Sequence, residues 1–279
     1  MPLTDFVRYL NAQHPVFFAG DAHAPAFVMR GGEVMAQYAG LRLGSRFDVV
    51  TPVGEAADWG HAAAVTVRRI DDDAPVDEET LFALPQTRQE FVYLDRLVRA
   101  LHALNYLTYQ NWRQRGTLLL KVHPRHVASV AGDHGLAFES IPRSCGLLPT
   151  QIALVFDIPP GADAGHLVRA FDNYRERGYL IAIKDAPGDD PARQALLARI
   201  APELLILPAG GVTPAAVDAA HLLGARVLVI GNVSAADFGR LGVDLVQSAP
   251  RAAADPKRAK KRAAGRASTR HDAPALLAA

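Results

Sequence analysis

The stretch from Pro149 to Gln247 alternates short apolar segments with amphipathic ones, and this alternation decides the fold. It opens with QIALVF at Gln151–Phe156, followed by GHLVRAFDNYRER at Gly165–Arg177, in which apolar residues recur every three or four positions. The later apolar segments are Leu180–Ile183, Leu204–Leu207, Arg226–Ile230 and Val243–Val246, and the later amphipathic ones are Pro191–Ile200, Pro214–Leu223 and Ala235–Leu241. Strands that are apolar on both faces and alternate with helices predict a parallel sheet covered by helices.

The upstream chain supplies the further strands that a closed barrel needs. Apolar segments at Phe47–Val53, Ala62–Arg69 and Leu118–Val122 predict three strands, and Gln89–Leu107 predicts a long amphipathic helix. The repeated units alone fit either a β/α barrel or a doubly wound sheet. With these additional strands, the chain is long enough for the barrel.

A smaller unit precedes the predicted barrel. Thr4–Ala12 predicts a short helix with Thr4 as its N-cap. Phe27–Met29 and Val34–Gln37 flank the pair Gly31-Gly32, which is typical of a β-hairpin. We therefore expect residues 1–46 to form an N-terminal extension that carries a hairpin.

Composition indicates a soluble globular protein, with 49% hydrophobic and 21% charged residues in a chain of 279. No apolar run approaches the roughly 18 residues needed to span a bilayer, and the polar start does not resemble a signal peptide. Cys145 is the single cysteine, which excludes a disulfide framework and a cysteine-rich metal site. A cytoplasmic location without membrane attachment is the simplest expectation.

Charge divides the chain into an acidic body and a basic tail. From Arg251 onward, eight Lys or Arg stand against two Asp, so the tail carries +6 and the residues before it −5 of the net +1. The tail has almost no core-forming residues, and we expect residues 251–279 to be disordered when free. Its basic cluster could neutralise nucleic-acid phosphates; it comprises Lys257, Arg258, Lys260, Lys261 and Arg262.

Seven segments, taken in order, together resemble the EAL domain family of cyclic-di-GMP phosphodiesterases. They are VTPV at Val50–Val53, LLLKVHP at Leu118–Pro124, LLPTQIALVF at Leu147–Phe156, GYLIAIKD at Gly178–Asp185, PELLILP at Pro202–Pro208, LGARVLVIG at Leu223–Gly231 and LGVDLVQ at Leu241–Gln247. The resemblance implies an α/β fold, a (β/α)8 TIM-like barrel whose first strand runs antiparallel, over residues 47–250.

The resemblance also implies a metal-dependent phosphodiesterase site, and the residues at its ligand positions are replaced. Active members hold Mg²⁺ or Mn²⁺ with carboxylates and one Asn, and a Lys stabilises charge. The corresponding positions here are Val65, Lys121, Val155, Lys184, Ile206 and Ile230. Counting from Pro52 favours Val65 for the first Glu, with Arg69 as the strand-end Arg, and the other register uses Ala64 and Arg68. We therefore expect no catalytic residues, no bound metal and no cofactor.

A vestigial nucleotide pocket remains a second expectation. Its candidate residues are Arg68, Arg69, Lys121, Lys184, Asp185 and Gln247. Guanidinium and ammonium groups can pair with phosphate without a metal. The sequence thus leaves three functions open: a catalytically inactive EAL-like regulator that acts through a protein partner, a non-hydrolysing cyclic-di-GMP receptor, and a nucleic-acid-associated regulator that uses the tail.

Two further groups invite a metal hypothesis, but structural roles are the simpler interpretation. The acidic run Asp71–Asp73 precedes a predicted helix and reads as a solvated loop. His123 and His126 are separated by Pro124, and the sequence shows no third ligand near them.

Overall fold

The computed structural model describes residues 3–12, 26–55, 57–109, 116–129, 146–184, 190–231 and 235–247. The helices are α1 (Leu3–Ala12), α2 (Glu78–Ala83), α3 (Arg88–Tyr109), α4 (Pro124–Ser129), α5 (Ala164–Glu176), α6 (Pro191–Ile200), α7 (Pro214–Leu222) and α8 (Ala235–Arg240). The strands are β1 (Phe27–Arg30), β2 (Glu33–Tyr38), β3 (Leu41–Pro52), β4 (Gly60–Arg69), β5 (Pro75–Val76), β6 (Thr117–Val122), β7 (Ile152–Asp157), β8 (Leu180–Lys184), β9 (Leu204–Pro208), β10 (Arg226–Ile230) and β11 (Leu245–Gln247). The predicted positions Asp185, the tail cluster and residues 248–279 lie outside the described ranges.

Eight of the described strands close into a barrel in the order β3-β4-β6-β7-β8-β9-β10-β11, and β11 pairs back onto β3. From β4 to β11 neighbouring barrel strands are parallel, whereas β3 is antiparallel to both of its neighbours. The predicted fold class, a TIM-like barrel with an antiparallel first strand, is confirmed. Strands β1 and β2 extend the sheet from β3, and β5 extends it from β4.

Alternate residues of the barrel strands face two different apolar layers. The inner layer fills the barrel with Val50, Leu119, Ala153, Ala182, Leu204, Ile206, Leu228 and Leu245. The outer layer packs the other face of the strands against the helices; for example, Phe156 of β7 contacts Phe171 of α5 with ring centroids 4.6 Å apart. This division explains why the strands read as continuously apolar, since both faces are buried.

The structure corrects two predicted boundaries. The N-cap at Thr4 is wrong, because α1 already includes Leu3. Strand β3 begins at Leu41 rather than Phe47, because Leu41 and Leu43 are buried and alternate with polar residues. The predicted extension and the predicted barrel therefore share one continuous strand across the division at residue 46. The hairpin of β1 and β2 around Gly31-Gly32 is confirmed, and both glycines have positive φ, as this turn requires.

Helix α3 carries a second core on the side that faces the extension. Buried residues of α1, β1, β2, β3 and β4 pack there against the leucines Leu94, Leu97, Leu101 and Leu104 of α3. Asn105 bonds both backbone groups of Val34: its Nδ2 donates to the carbonyl at 2.8 Å, and its Oδ1 accepts from the N–H at 2.8 Å. Asn11 of α1 does the same for Phe27, at 2.7 and 2.9 Å. Two asparagine side chains thus take the place of strand partners: Asn11 joins α1 to β1 within the extension, and Asn105 joins β2 to α3.

Buried His102 of α3 makes stability depend on pH. Asn105 donates to Ser45 Oγ at 3.1 Å, and Ser45 Oγ forms a hydrogen bond of 2.8 Å with His102 Nδ1. Burial lowers the pKa of His102 to about 3. In the unfolded chain, His titrates near 6.5, so between about pH 6.5 and pH 3 the unfolded state binds the proton that the folded state excludes.

We therefore expect the free energy of unfolding to fall below about pH 6.5, by up to ~1.4 kcal/mol per pH unit from this residue. Urea unfolding at several values between pH 7.5 and pH 4.5 measures the slope, and His102→Gln is the comparison. The variant should be less stable at neutral pH and should have a shallower slope. Equal slopes in the two proteins would assign the pH dependence to other groups.

Candidate functional site

The carboxyl ends of the parallel strands meet at one mouth of the barrel, where this architecture places functional residues. Strand register brings the inner-face positions together there: Lys121 lies opposite Val155, Lys184 opposite Ile206, and Ile230 opposite Gln247. Val155 and Ile230 pack on the inner apolar layer, as does the buried Ile206. The mouth therefore has an apolar floor, and Lys121 and Lys184 extend from its rim with exposed side chains.

The two candidates for the first replaced position, Ala64 and Val65, lie on opposite faces of β4. Ala62 packs on the inner layer, whereas Val65 packs on the second core with Val67. Because side chains alternate along a strand, Ala64 shares the inner face with Ala62. Strand geometry therefore favours the register that pairs Ala64 with Arg68 over the predicted register of Val65 with Arg69.

The acidic turn after β4 binds both arginines at the end of that strand. Arg69 donates to Asp71 at 2.5 and 3.0 Å, and this hydrogen-bonded pair lowers the pKa of the Asp71 carboxyl and raises the pKa of Arg69. Arg68 donates to the backbone carbonyl of Asp73 at 2.8 Å, and Arg42 of β3 forms an ion pair with the Asp73 carboxylate. The two arginine candidates are thus held by the turn. The acidic run is exposed, in agreement with its interpretation as a solvated loop.

Lys121 forms an ion pair with helix α2, which lies beside the mouth. Its ammonium donates to Glu78 Oε1 at 3.1 Å, with side-chain exposures of 47% and 37%. Asp77 caps α2 by accepting from Thr80 N–H at 2.6 Å, and Phe82 stacks on His123 with ring centroids 5.0 Å apart. These contacts fix the position from which Glu78 reaches the lysine.

The sequence analysis missed a second ion pair at the mouth, on the antiparallel strand. Arg46 donates to both carboxylate oxygens of Asp48, at 3.1 and 3.2 Å. Arg46 lies opposite Ala64 and Asp48 opposite Ala62, so both residues are on the inner face. Asp48 is only 8% exposed, whereas Arg46 is 47% exposed. The alternation of apolar and polar residues before Phe47 indicates a longer strand than the one predicted. A strand of that length would place Arg46 and Asp48 on the same face.

Asp157 is another acidic residue at this end of the barrel. It ends β7 on the same face as Val155 and lies opposite Lys184 on β8. Gln247 ends β11 beside Ile230 and is half-buried. The remaining pocket candidate, Asp185, lies outside the described residues.

Two acidic residues that the sequence resemblance matched serve the fold at the opposite end of the barrel. Glu203, just before β9, accepts from the Ile181 N–H of β8 at 2.7 Å and from Arg175 at 2.9 Å. Asp244, just before β11, likewise accepts from the Val227 N–H of β10 at 2.7 Å and lies 3.0 Å from His221. Each carboxylate joins a neighbouring strand to a basic residue on a preceding helix. These retained acids therefore hold strands together rather than bind metal.

Comparison with solved structures identifies the architecture. Residues covering 74% of this chain superpose on 54% of the Bacillus subtilis YkuI protein, which has an EAL domain and was solved with substrate c-di-GMP and calcium; the TM-score is 0.59 and the identity 15%. For the PaMucR phosphodiesterase in its c-di-GMP complex, the TM-score is 0.62, the identity 14%, and the coverage 74% of this chain and 93% of that one. The manganese and c-di-GMP complex of Klebsiella pneumoniae BlrP1 gives a TM-score of 0.59, 14% identity and coverages of 75% and 58%.

The chain has the fold of an EAL domain. It spans about half the length of YkuI, and at these identities the similarity establishes the fold alone. No protein-family model and no curated protein matches the chain. No helix within the described ranges is long and apolar enough to cross a membrane.

The mouth of this EAL fold does not fit the metals that the resemblance implies. Mg²⁺ and Mn²⁺ require oxygen ligands, whereas a protonated lysine repels a cation and has no lone pair to donate. Ala64, Val155 and Ile230 offer no side-chain donor. In the described part of the chain, no group of three or more His, Cys, Asp or Glu residues is arranged to hold a metal ion. The residues described at these positions therefore supply no step that a bound metal would assist.

Proposed function

We propose that this chain is a non-hydrolysing EAL-fold protein of cyclic-di-GMP signalling that regulates through contacts with a protein partner. The observation that supports the proposal is the combination of a complete barrel with a mouth of alanine, aliphatic and lysine side chains at the replaced ligand positions. Hydrolysis of a phosphodiester by this route needs a metal-bound water of lowered pKa. The described residues at these positions offer no ligand set for the metal, and a barrel that keeps its fold in that state can still serve for recognition.

A non-hydrolysing cyclic-di-GMP receptor is the second candidate, and the two exposed mouth lysines favour it. Lys121 and Lys184 could pair with phosphate oxygens directly. Two features oppose it: Lys121 already has a carboxylate partner, and Arg68 is held by the acidic turn. The third candidate, nucleic-acid binding by the basic tail, stays a prediction from sequence.

We expect purified protein to leave cyclic-di-GMP intact in the presence of Mg²⁺ or Mn²⁺. Isothermal titration calorimetry measures binding, and chromatography of the mixture afterwards measures linear product, with PaMucR phosphodiesterase as the positive control. No binding and no product supports the scaffold, whereas binding without product supports the receptor. Metal-dependent product formation that grows with protein concentration would overturn both.

A further inference from the structure

A cavity of about 320 Å³ lies between helices α4 and α5 at the end of strand β7, and we call it the α4–α5 cavity. Its floor is apolar: Val127 of α4, Phe156 of β7, and Leu167 and Phe171 of α5 line it, with exposures of 1–7%. Small-molecule sites have volumes of about 300–1,000 Å³ and are lined mostly by apolar side chains. The volume and the floor therefore suit a small ligand with one hydrophobic ring.

Three of the four polar side chains that line the cavity already interact with α4 or α5. Asp163 caps α5 by accepting from the backbone N–H groups of His166 and Gly165, at 3.1 and 2.8 Å. These bonds and the nearby charge of Arg169 lower the pKa of the Asp163 carboxyl, so it is ionised at neutral pH. The Nε2 atom of His166 donates to the backbone carbonyl of Val127 at 2.8 Å.

Asp157 is the fourth polar side chain, and it is half-buried at the end of β7. It lies opposite Lys184 on β8, but within the described ranges its carboxylate forms no ion pair with that lysine and accepts no hydrogen bond. With His166 neutral, the two aspartates and Arg169 give the lining a net charge of −1. The positive end of α5 is offset by its own cap, Asp163, so the cavity favours a cation over an anion.

We infer that the α4–α5 cavity binds a small aromatic amine, whose ammonium group pairs with the Asp157 carboxylate and whose ring packs on the apolar floor. A carboxylate and an ammonium form a charge-assisted hydrogen bond, which is stronger than a bond between neutral groups. Phe156 and Phe171 add ring surfaces on which a further aromatic ring packs in an offset or edge arrangement. The inference does not depend on regulation by a protein partner, and a cavity without affinity for amines would leave the expected absence of hydrolysis unchanged.

The test is a titration with benzylamine, which is protonated at neutral pH, followed by protein NMR at fixed ionic strength. Benzyl alcohol carries the same ring without a charge, and benzoate carries the opposite charge. We expect benzylamine to bind about tenfold more tightly than benzyl alcohol, a difference that one charge-assisted hydrogen bond supplies, and benzoate to bind more weakly than either. Asp157→Asn should lower the affinity for benzylamine to that for benzyl alcohol and leave the affinity for the alcohol unchanged.

Asp172→Asn is the matched control, since it removes the same charge from an exposed residue of α5 that does not line the cavity. Its affinity for benzylamine should equal that of the parent protein. Ala162→Leu should abolish saturable binding of both benzylamine and benzyl alcohol, because the added carbon atoms occupy the cavity that Ala162 lines.

Equal affinity of Asp157→Asn and the parent for benzylamine would overturn the inference, as would an equal loss of affinity in Asp172→Asn. So would tighter binding of benzoate than of benzylamine, unchanged binding in Ala162→Leu, or no saturation of the parent at tens of millimolar benzylamine. Circular dichroism melting of each variant separates these outcomes from misfolding.

Discussion

Replacing Asp95 by Asn is expected to lower the free energy of unfolding by about 3–5 kcal/mol, because it leaves a buried guanidinium without its counter-charge. Asp95 and Arg99 lie one turn apart on α3, with exposures of 2% and 1%. Arg99 donates to Asp95 Oδ2 through Nε at 2.9 Å and through Nη2 at 2.6 Å. His126 of α4 places Nδ1 3.1 Å from the same oxygen, and the backbone N–H of His123 donates to Oδ1 at 3.0 Å.

The carboxylate therefore joins α3, the end of β6 and α4 inside the protein. Burial alone would raise the pKa of Asp95, but the charges of Arg99 and His126 and the hydrogen bonds hold it below its usual value. A depressed carboxyl pKa contributes stability above the unfolded value of about 3.9, and that contribution is lost as the pH falls through the folded value. At neutral pH the full effect of the substitution should be measured.

Urea unfolding at pH 7 is the measurement, and a double variant is its control. Asp95→Leu combined with Arg99→Met removes both charges and keeps an apolar volume in the core, so it should recover much of the loss. If Asp95→Asn unfolds within 1 kcal/mol of the parent protein, the cluster is not a buried ion network. If the double variant is as unstable as the single one, packing rather than charge is responsible. His126 thus has a structural role, as the sequence analysis expected.

The sequence predicted the barrel well because the barrel is built from repeated local patterns. Each apolar segment between Pro149 and Gln247 became a strand within one or two residues, and the segments matched to the EAL family include acids such as Glu203 and Asp244 that hold strands together. Each of these carboxylates accepts a hydrogen bond from a backbone N–H of the neighbouring strand. That bond fixes how far along the chain the acid lies from its own strand, and the fixed spacing makes such residues recognisable in a sequence. The fold could therefore be predicted from the sequence.

The geometry of the mouth was harder to predict from the sequence, because it depends on contacts between segments that are distant along the chain. Counting residues placed the first ligand position at Val65, whereas the second core requires Val65 and Val67 on the opposite face of β4. The apolar–polar alternation of Val65, Thr66, Val67 and Arg68 did contain this information. The pairing of Lys121 with Glu78 did not, since 43 residues separate the two and only the path of α2 brings them together.

The largest expected loss follows from removing the N-terminal extension. Deleting residues 1–40, so that the chain begins at β3, should abolish cooperative folding of the barrel. The deletion removes Phe6, Val7, Leu10, Phe27 and Val34, all of them buried in the second core. At about 1.5–3 kcal/mol for each buried side chain, the loss is on the order of 10 kcal/mol, which is comparable to the whole stability of a typical domain.

The reason lies in α3, which belongs to both cores. Ala103 and Tyr106 pack on the barrel side, whereas Leu94, Leu97 and Leu101 pack against the extension. Without β2, the buried side chain of Asn105 also loses both of its partners on Val34. A helix that is buried on two sides would then expose an apolar stripe to water, and the shortened protein should aggregate or bind hydrophobic dyes.

Circular dichroism melting and dye binding compare the deletion variant with the full chain, and removal of residues 251–279 is the control at the other end. The tail deletion should melt like the parent, because its composition provides almost no core residues. If the shortened barrel cannot be purified, Leu10→Ala and Phe27→Ala test the same packing in a chain that still folds, and each should cost about 2–5 kcal/mol. A fragment beginning at Leu41 that melts cooperatively near the parent temperature would instead show that the extension is a separable addition. The expected result makes the extension part of the folding unit, because α3 packs on both cores and is stable only when both of its faces are covered.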